Sequence, residues 1–178
     1  MPRISNQQAH LKPQDLFVLL ALLSRQSEPF GYAELARRTG MALSAVHASL
    51  KRAALSRLIY FDGRRPVILK PQLREFVLHG AKYAFPPMRG SLARGVPTAH
   101  GAAPLNARIA PSDDPVPVWP HADGTVRGLA MAPLFPSVPD AARRDDALHV
   151  VLALFDAVRS GQAREREIAQ NLLEPYFQ

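Results

Sequence analysis

Gly40 separates two short segments of helical periodicity, and this arrangement constrains the fold more than any other feature of the sequence. Residues 32–39 and 43–55 each place apolar side chains on one side of a helix, three or four positions apart. Glycine readily adopts the left-handed backbone conformation with which many helices end. The pattern therefore predicts two helices joined by a tight turn. The apolar positions are Ala33, Leu35 and Ala36 in the first segment and Val46, Leu50 and Ala53 in the second.

Further elements are predicted on both sides of this pair. A proline is tolerated in the first turn of a helix, so we expect Pro13 to begin a leucine-rich helix that is largely buried. Aromatic and β-branched residues at 58–69, interrupted by Asp62-Gly63, predict two strands joined by a tight turn. Pro71 begins one more helix. The predicted order is helix, helix, helix, hairpin, helix.

The stretch from Tyr32 to Ala53, followed by Leu58-Ile59-Tyr60, resembles the winged helix-turn-helix regulators, and its layout is most similar to the MarR-like group. The shared pattern is Glu-Leu-Ala, a glycine turn, a Ser or Thr at the start of the next helix, a Val, and Leu-Lys-Arg before the hairpin. The resemblance covers residues 14–85. It implies that the second helix of the pair enters the major groove of DNA and that the hairpin, or wing, contacts the backbone or the minor groove.

The outer face of this second helix, the recognition helix, suits a major groove. It carries small residues that let the backbones approach, a histidine that can donate or accept at base edges, and two cations that can reach phosphates. Two arginines at the tip of the wing can contact the DNA backbone. Several such phosphate contacts make affinity fall steeply with salt. The predicted DNA-binding residues are Leu43, Ser44, Ala45, His47, Ala48, Lys51, Arg52, Arg64 and Arg65.

Some of these residues also have plainer interpretations. Ser44 is equally well placed to cap the N-terminus of its helix. His47 is alternatively a solvated surface histidine, and Arg64 and Arg65 alternatively keep the hairpin soluble. The first two turns of the recognition helix contain no Asn, Gln or Arg, which predicts modest specificity or a reliance on DNA shape.

Charge is divided unevenly along the chain. Residues 1–95 contain 15 Lys and Arg against 5 Asp and Glu, whereas residues 96–178 contain 7 against 10. A basic surface of this kind is typical of nucleic-acid binding. The chain has no cysteine, which excludes disulfides and thiolate metal sites and favours the cytoplasm. No apolar run is long enough to span a membrane, and the polar start argues against a signal peptide.

Residues 86–140 contain 11 of the 17 prolines and little helical periodicity, yet they keep many large apolar side chains. A disordered linker seldom carries so many, so we expect an ordered arm around the winged domain or a second subunit, with Trp119 as an anchor. Arg89, Arg94 and His100 are candidate contacts to an anion or small ligand. The favoured alternative is an irregular connector in which the glycines permit turns and the arginines contact the DNA backbone or a neighbouring helix.

Residues 141–178 predict a helical hairpin that is broken at Gly161. A hairpin this apolar must be buried, either in the core of its own chain or in a dimer interface, and the dimer is the favoured alternative. Two copies would place their recognition helices about one turn of DNA apart and read an inverted repeat.

Together these features predict a mainly α fold with a small β-hairpin wing (α+β): a winged helix-turn-helix at 1–85, a proline-rich arm or linker at 86–140 and a C-terminal helical hairpin at 141–178. The predicted function is a cytoplasmic, homodimeric repressor that binds double-stranded DNA without a cofactor. The alternative is a winged-helix adaptor or antitoxin-like protein that binds a partner protein through its C-terminal region.

An enzyme of phosphate chemistry, using Arg89, Arg94 and His100, is a less favoured alternative. The sequence contains no nucleophile elbow, no phosphate-binding glycine loop and no zinc-protease motif. Asp113 and Asp114, together with Asp123, could hold a divalent cation, but the run is flanked by prolines and indicates a loop, which is the favoured alternative. Neither a catalytic residue nor a metal ligand is therefore predicted.

Overall fold

The computed structural model describes residues 10–25, 31–110 and 113–178 and shows a mixed α and β fold, as the sequence predicts. Three helices form the first layer: α1 (Pro13–Leu23), α2 (Tyr32–Thr39) and α3 (Leu43–Leu55). All side chains of α1 from Asp15 onward are buried, because α2, α3 and a later helix pack around it. None of the described helices is long and apolar enough to cross a membrane.

The predicted hairpin follows α3. Strand β1 (Ile59–Asp62) pairs antiparallel with β2 (Arg65–Ile68), with Asp62 opposite Arg65. Gly63 has a φ of +58° in the turn between them. This left-handed conformation strains most residues but not glycine, so Asp62-Gly63 is a correct turn prediction.

One helical segment leads away from the wing. It consists of α4 (Lys70–Glu75), a π-helical turn (Phe76–Gly80) and α5 (Ala81–Ala84). Pro71 lies in its first turn, as predicted, where the missing N–H has no helical partner. The segment differs from a regular helix only in the π-helical turn.

The proline-rich segment forms a small closed barrel of three strands, where the sequence predicted no regular structure. Strand β3 (Arg89–Pro97) pairs antiparallel with β4 (Pro117–Pro120) and with β5 (Val126–Met131), and β4 and β5 pair in parallel. Two 3-10 turns, Ala99–Gly101 and Leu105–Ala107, lie between β3 and β4. Prolines at the strand ends and an irregular register in β3 conceal the alternating pattern from which strands are predicted.

The barrel closes where glycines allow two backbones to approach each other. A Cβ at Gly95 would lie 2.1 Å from the carbonyl oxygen of Trp119, and one at Gly128 would lie 2.0 Å from the carbonyl oxygen of Val116. These distances are too short for any side chain, so glycine is required at both positions. A glycine within a strand commonly marks such a close approach. Gly95 and Gly128 were therefore a signal of strands that the prediction of an irregular arm did not use.

The tail forms α6 (Val138–Arg144), α7 (Asp146–Ser160), α8 (Ala163–Leu173) and a final 3-10 turn (Glu174–Phe177). Helix α7 lies at the centre of the molecule, between α1 on one side and α8 on the other, and residues 151–159 are all buried. The apolar face of the predicted hairpin is thus buried in the core of its own chain, which is the alternative that the sequence disfavoured. This face gives no support to a dimer interface.

A buried carboxylate fixes α7 to the barrel. Asp156, only 2% exposed, accepts hydrogen bonds from Thr98 Oγ1 at 2.8 Å, from the indole N–H of Trp119 at 2.7 Å and from Nε of Arg159 at 2.8 Å. Arg159 also donates to two backbone carbonyls, one after α5 and one after β5. Every polar group of this cluster has a partner, which is the condition under which a charge can be buried.

A second carboxylate fixes α7 to the first helical layer. Asp145, the N-cap of α7, accepts the N–H of Leu148 at 3.1 Å and Nε of Arg38 at 2.7 Å. Arg38 lies in α2, is 5% exposed, and also donates to Ala21 O and Ser24 Oγ of the α1 terminus. Burial alone would raise the pKa of Asp145, but the hydrogen bonds from Leu148 and Arg38 outweigh it and hold the pKa below its ordinary value.

Replacing Asp156 with Ala should lower the free energy of unfolding by about 3–5 kcal/mol, because Arg159 would keep a buried charge without its carboxylate. Urea unfolding followed by circular dichroism measures this change. Asp123→Ala is the control, because Asp123 is exposed and its ion pair with Arg143 contributes at most about 1 kcal/mol. Equal losses in the two variants would contradict the structural role of Asp156.

Asp145 should make stability depend on pH. Its folded pKa is lower than its unfolded pKa, so its contribution is present above the unfolded pKa and is lost as the pH falls through the folded pKa. The free energy of unfolding should therefore decrease from about pH 5 downward, and it should decrease less in Asp145→Asn. Urea unfolding at a series of pH values measures both slopes, and identical slopes would show that the pKa of Asp145 is not lowered by folding.

Candidate nucleic-acid interface

Helix α3 exposes the face that the sequence predicts for DNA. Its opposite side is fixed by Val46, Leu50 and Ala53, which are buried beneath α1. Since a helix repeats every 3.6 residues, fixing this side also determines which residues point outward. Of the predicted DNA-binding residues of α3, the exposed ones are Leu43, Ser44, His47 and Lys51, and the partly buried ones are Ala45, Ala48 and Arg52.

The turn before α3 orients its first residues. Gly40 has a φ of +66°, the left-handed conformation predicted for it, and the N–H of Met41 donates to Ala36 O. The N-cap of α3 is Ala42, so the alternative interpretation of Ser44 as the cap is wrong. Ser44 lies instead in the first turn of the helix with its side chain exposed.

His47 is held in a defined orientation by an aromatic neighbour. Its ring stacks on Tyr32, at the start of α2, with centroids 4.1 Å apart and planes 12° from parallel. A ring already ordered before binding loses less conformational entropy when it contacts a base. Tyr32 was not among the predicted residues, because helical periodicity within α2 and α3 does not show which side chains meet between them.

Arg52 is a predicted DNA contact, but in the structure its side chain forms an ion pair within the protein. Its guanidinium donates to both carboxylate oxygens of Asp15, with Nε–Oδ2 at 2.7 Å and Nη2–Oδ1 at 2.6 Å. Asp15 is fully buried and also accepts the N–H of Lys12, so the pair joins α3 to the first turn of α1. These hydrogen bonds raise the pKa of Arg52. Contact between Arg52 and a phosphate stays a prediction.

The wing exposes both of its predicted arginines, Arg64 and Arg65. Arg57, between α3 and β1, is exposed as well and has a φ of +56°; the sequence analysis did not select it. Together with Lys51 they are the exposed cations of α3 and the wing, and none of the four forms an ion pair with the described residues. Cations that form no ion pair are available to contact phosphates.

Two of the three candidate ligand contacts come together. Arg89 and His100 line a cavity of about 730 Å³ between the barrel and α8, whereas Arg94 is outside its lining. Arg89 donates to Ser160 O at 2.9 Å, and His100 Nδ1 lies 3.3 Å from a carboxylate oxygen of Glu165. The contact of these residues with an anion stays a prediction. Across residues 10–25, 31–110 and 113–178, no group of three or more His, Asp or Glu could hold a metal ion.

The three-helix layer, the exposed α3 and the wing define a winged helix-turn-helix domain, a class that binds duplex DNA. The family model for the IclR helix-turn-helix domain matches residues 16–52, from α1 through α2 into α3. Neither curated proteins nor solved structures gave a match. The match supports a DNA-binding transcription regulator, and the matching family is IclR rather than the MarR-like group whose layout the sequence resembles.

Lys51 and Arg52 are neighbours in sequence but should respond differently to substitution. Lys51→Ala should make the plot of log affinity against log salt less steep by about 0.9, the share of one phosphate contact, at unchanged stability. Arg52→Ala should lower the free energy of unfolding by about 3–5 kcal/mol, because it leaves the buried Asp15 carboxylate without its partner.

Fluorescence anisotropy titrations at several salt concentrations and urea unfolding measure the two effects. An Arg52→Ala variant with wild-type stability and a less steep salt dependence would assign Arg52 to DNA instead of to Asp15.

Proposed function

We propose that the chain is a sequence-specific repressor that binds promoter DNA as a homodimer and blocks the promoter by occupying it. The observation that carries this proposal is the exposed polar face of α3 beside a cationic wing, within a domain that the IclR helix-turn-helix family model matches.

Base recognition falls to a few side chains. Of the exposed residues of α3, Ser44 and His47 are assigned to base edges and Lys51 to a phosphate, and Ala45 and Ala48 let the helix backbone approach the floor of the groove. Two hydrogen-bonding side chains give limited direct readout. Specificity therefore depends also on DNA shape. The position of the phosphates and the width of the minor groove vary with sequence, and both affect how well the cations of the wing contact the duplex.

Repression requires only that the protein occupies the promoter DNA. A protein seated in the major groove of a promoter excludes other proteins from the same base pairs, whereas activation needs a further specific contact with a second protein. The binding surface described above is sufficient for the first outcome.

The dimer is proposed on a different surface from the one that the sequence favoured. Leu92 and Leu129 lie opposite each other in the β3–β5 ladder and are 49% and 36% exposed, and Met88, next to the start of β3, is 67% exposed. Residues directly opposite on antiparallel strands point to the same side of the sheet. Leu92 and Leu129 thus form an exposed apolar patch, and such patches suit a contact between two copies.

Selection of bound fragments from random DNA at two salt concentrations tests the function. We expect a palindromic consensus with half-sites about 10 base pairs apart, and we expect a reporter promoter that carries this consensus to be silenced by the chain. Lys51→Ala should recover less DNA than the wild-type chain, and the difference should be larger at the lower salt concentration. Fragments without any consensus at both salt concentrations would contradict specific regulation.

Light scattering tests the dimer. The wild-type chain should be dimeric at micromolar concentration, and the double variant Leu92→Glu, Leu129→Glu should be monomeric and should select single half-sites. A wild-type chain that is only monomeric would contradict the dimer. Dimerisation that survives the double substitution would place the interface elsewhere.

A further inference from the structure

A cation from the C-terminal region lies beside the turn that leads into the recognition helix. Arg144, the last residue of α6, places its Nη2 atom 3.4 Å from the point that a Cβ on Gly40 would occupy. Gly40 is the left-handed residue of the turn, three residues before α3 begins. Arg144 lies outside residues 16–52, to which the helix-turn-helix family model is limited.

Helix α6 is fixed to α2 at both of its ends. Ser137, its N-cap, donates its hydroxyl to Thr39 O at 2.6 Å, and Asp145, its C-cap, binds Arg38. Arg38 and Asp145 are both largely buried, so this contact is shielded from water. The backbone of Arg144 therefore keeps a constant position relative to the turn and to α3.

Two acidic residues near Arg144, Asp140 and Asp145, are engaged by other groups. Asp140, four residues earlier in α6, would be its usual partner on a helix, but it contacts His121 at 3.0 Å. Asp145 binds Arg38 and the N–H of Leu148. Arg144 is exposed, and it forms no hydrogen bond or ion pair with the described part of the chain.

Its neighbour Arg143 provides the contrast. Arg143 is also exposed and lies one residue earlier in α6, but it forms an ion pair with Asp123 at 3.2 Å. The two arginines therefore carry the same charge, lie in the same helix and are both exposed. They differ in whether a carboxylate neutralises the guanidinium and in their contact with the turn.

We propose that Arg144 binds a DNA phosphate at the rim of the major groove, so that the C-terminal region completes the DNA interface. This inference rests on the proposed DNA-binding function of α3. A major groove about 12 Å wide holds one helix with a row of phosphates on each side. A guanidinium next to the turn before α3 lies at the end of the helix, where the groove rim passes. Its planar donors match the oxygens of a phosphate.

The test is the salt dependence of binding to a duplex that the wild-type chain selects. Arg144→Ala should make the plot of log affinity against log salt less steep by about 0.9. Over a fourfold range, from 50 to 200 mM salt, its loss of affinity should then be about 3–4 times greater at the lower concentration. Arg144→Lys, which keeps the charge, should restore most of the slope, and Arg143→Ala should keep the wild-type slope.

The outcomes separate this inference from the function on which it rests. If the wild-type chain does not bind duplex DNA, the proposed function and the inference both fail. If the wild-type chain binds and Arg144→Ala keeps its slope, only the inference fails. Equal slope changes in Arg143→Ala and Arg144→Ala would also overturn it, because they would show a general effect of charge instead of a contact. Thermal unfolding of each variant shows whether a changed affinity reflects a changed fold.

Discussion

The buried ion pairs of α7 are the constraint on which the rest of the structure depends. A carboxylate removed from water is strongly unfavourable unless hydrogen bonds and an opposite charge replace the lost hydration. Asp145 finds these partners in α2, and Asp156 finds them in the barrel and within α7 itself. Neither carboxylate is satisfied until the separate parts of the chain are assembled. The single hydrophobic core, which runs from α1 to the last 3-10 turn, reflects the same requirement.

The local features of the fold could be predicted because their signals lie within a few residues of each other. The turn at Gly40, the buried helix begun by Pro13 and the hairpin at Asp62-Gly63 each depend on a backbone preference or an apolar period. The barrel was missed for the opposite reason. Its closure depends on glycines such as Gly95 meeting a strand more than 20 residues away, and the alternating pattern is interrupted by prolines.

The same limit applies to the DNA interface. Periodicity correctly separates the exposed and buried faces of α3, because burial of Val46 and Leu50 fixes the orientation of the whole helix. Periodicity does not show to which face Arg52 belongs, because this residue lies at the border between the two faces. Asp15, 37 residues earlier, binds its guanidinium and directs it inward. The stacking of His47 on Tyr32 is likewise a contact between elements. Residue type and spacing identify the groups that can contact DNA, and tertiary contacts decide which of them are free to do so.

The ion pair between Arg52 and Asp15 limits how the domain can hold DNA in the proposed complex. It leaves Lys51 as the exposed cation on the outer face of α3, so most phosphate contacts have to come from residues that flank the helix. In the proposed interface these are the arginines of the wing, which follows α3, and Arg144, which lies beside the turn before α3. Because Arg38 and Asp145 tie α6 to α2, the backbone of Arg144 keeps its position relative to α2, and the fold limits the distance that the proposed phosphate contacts can span. A duplex whose phosphates match that distance contacts all of these cations, whereas a duplex with a different groove width contacts fewer of them. Cations that never touch a base can in this way contribute to the choice of sequence.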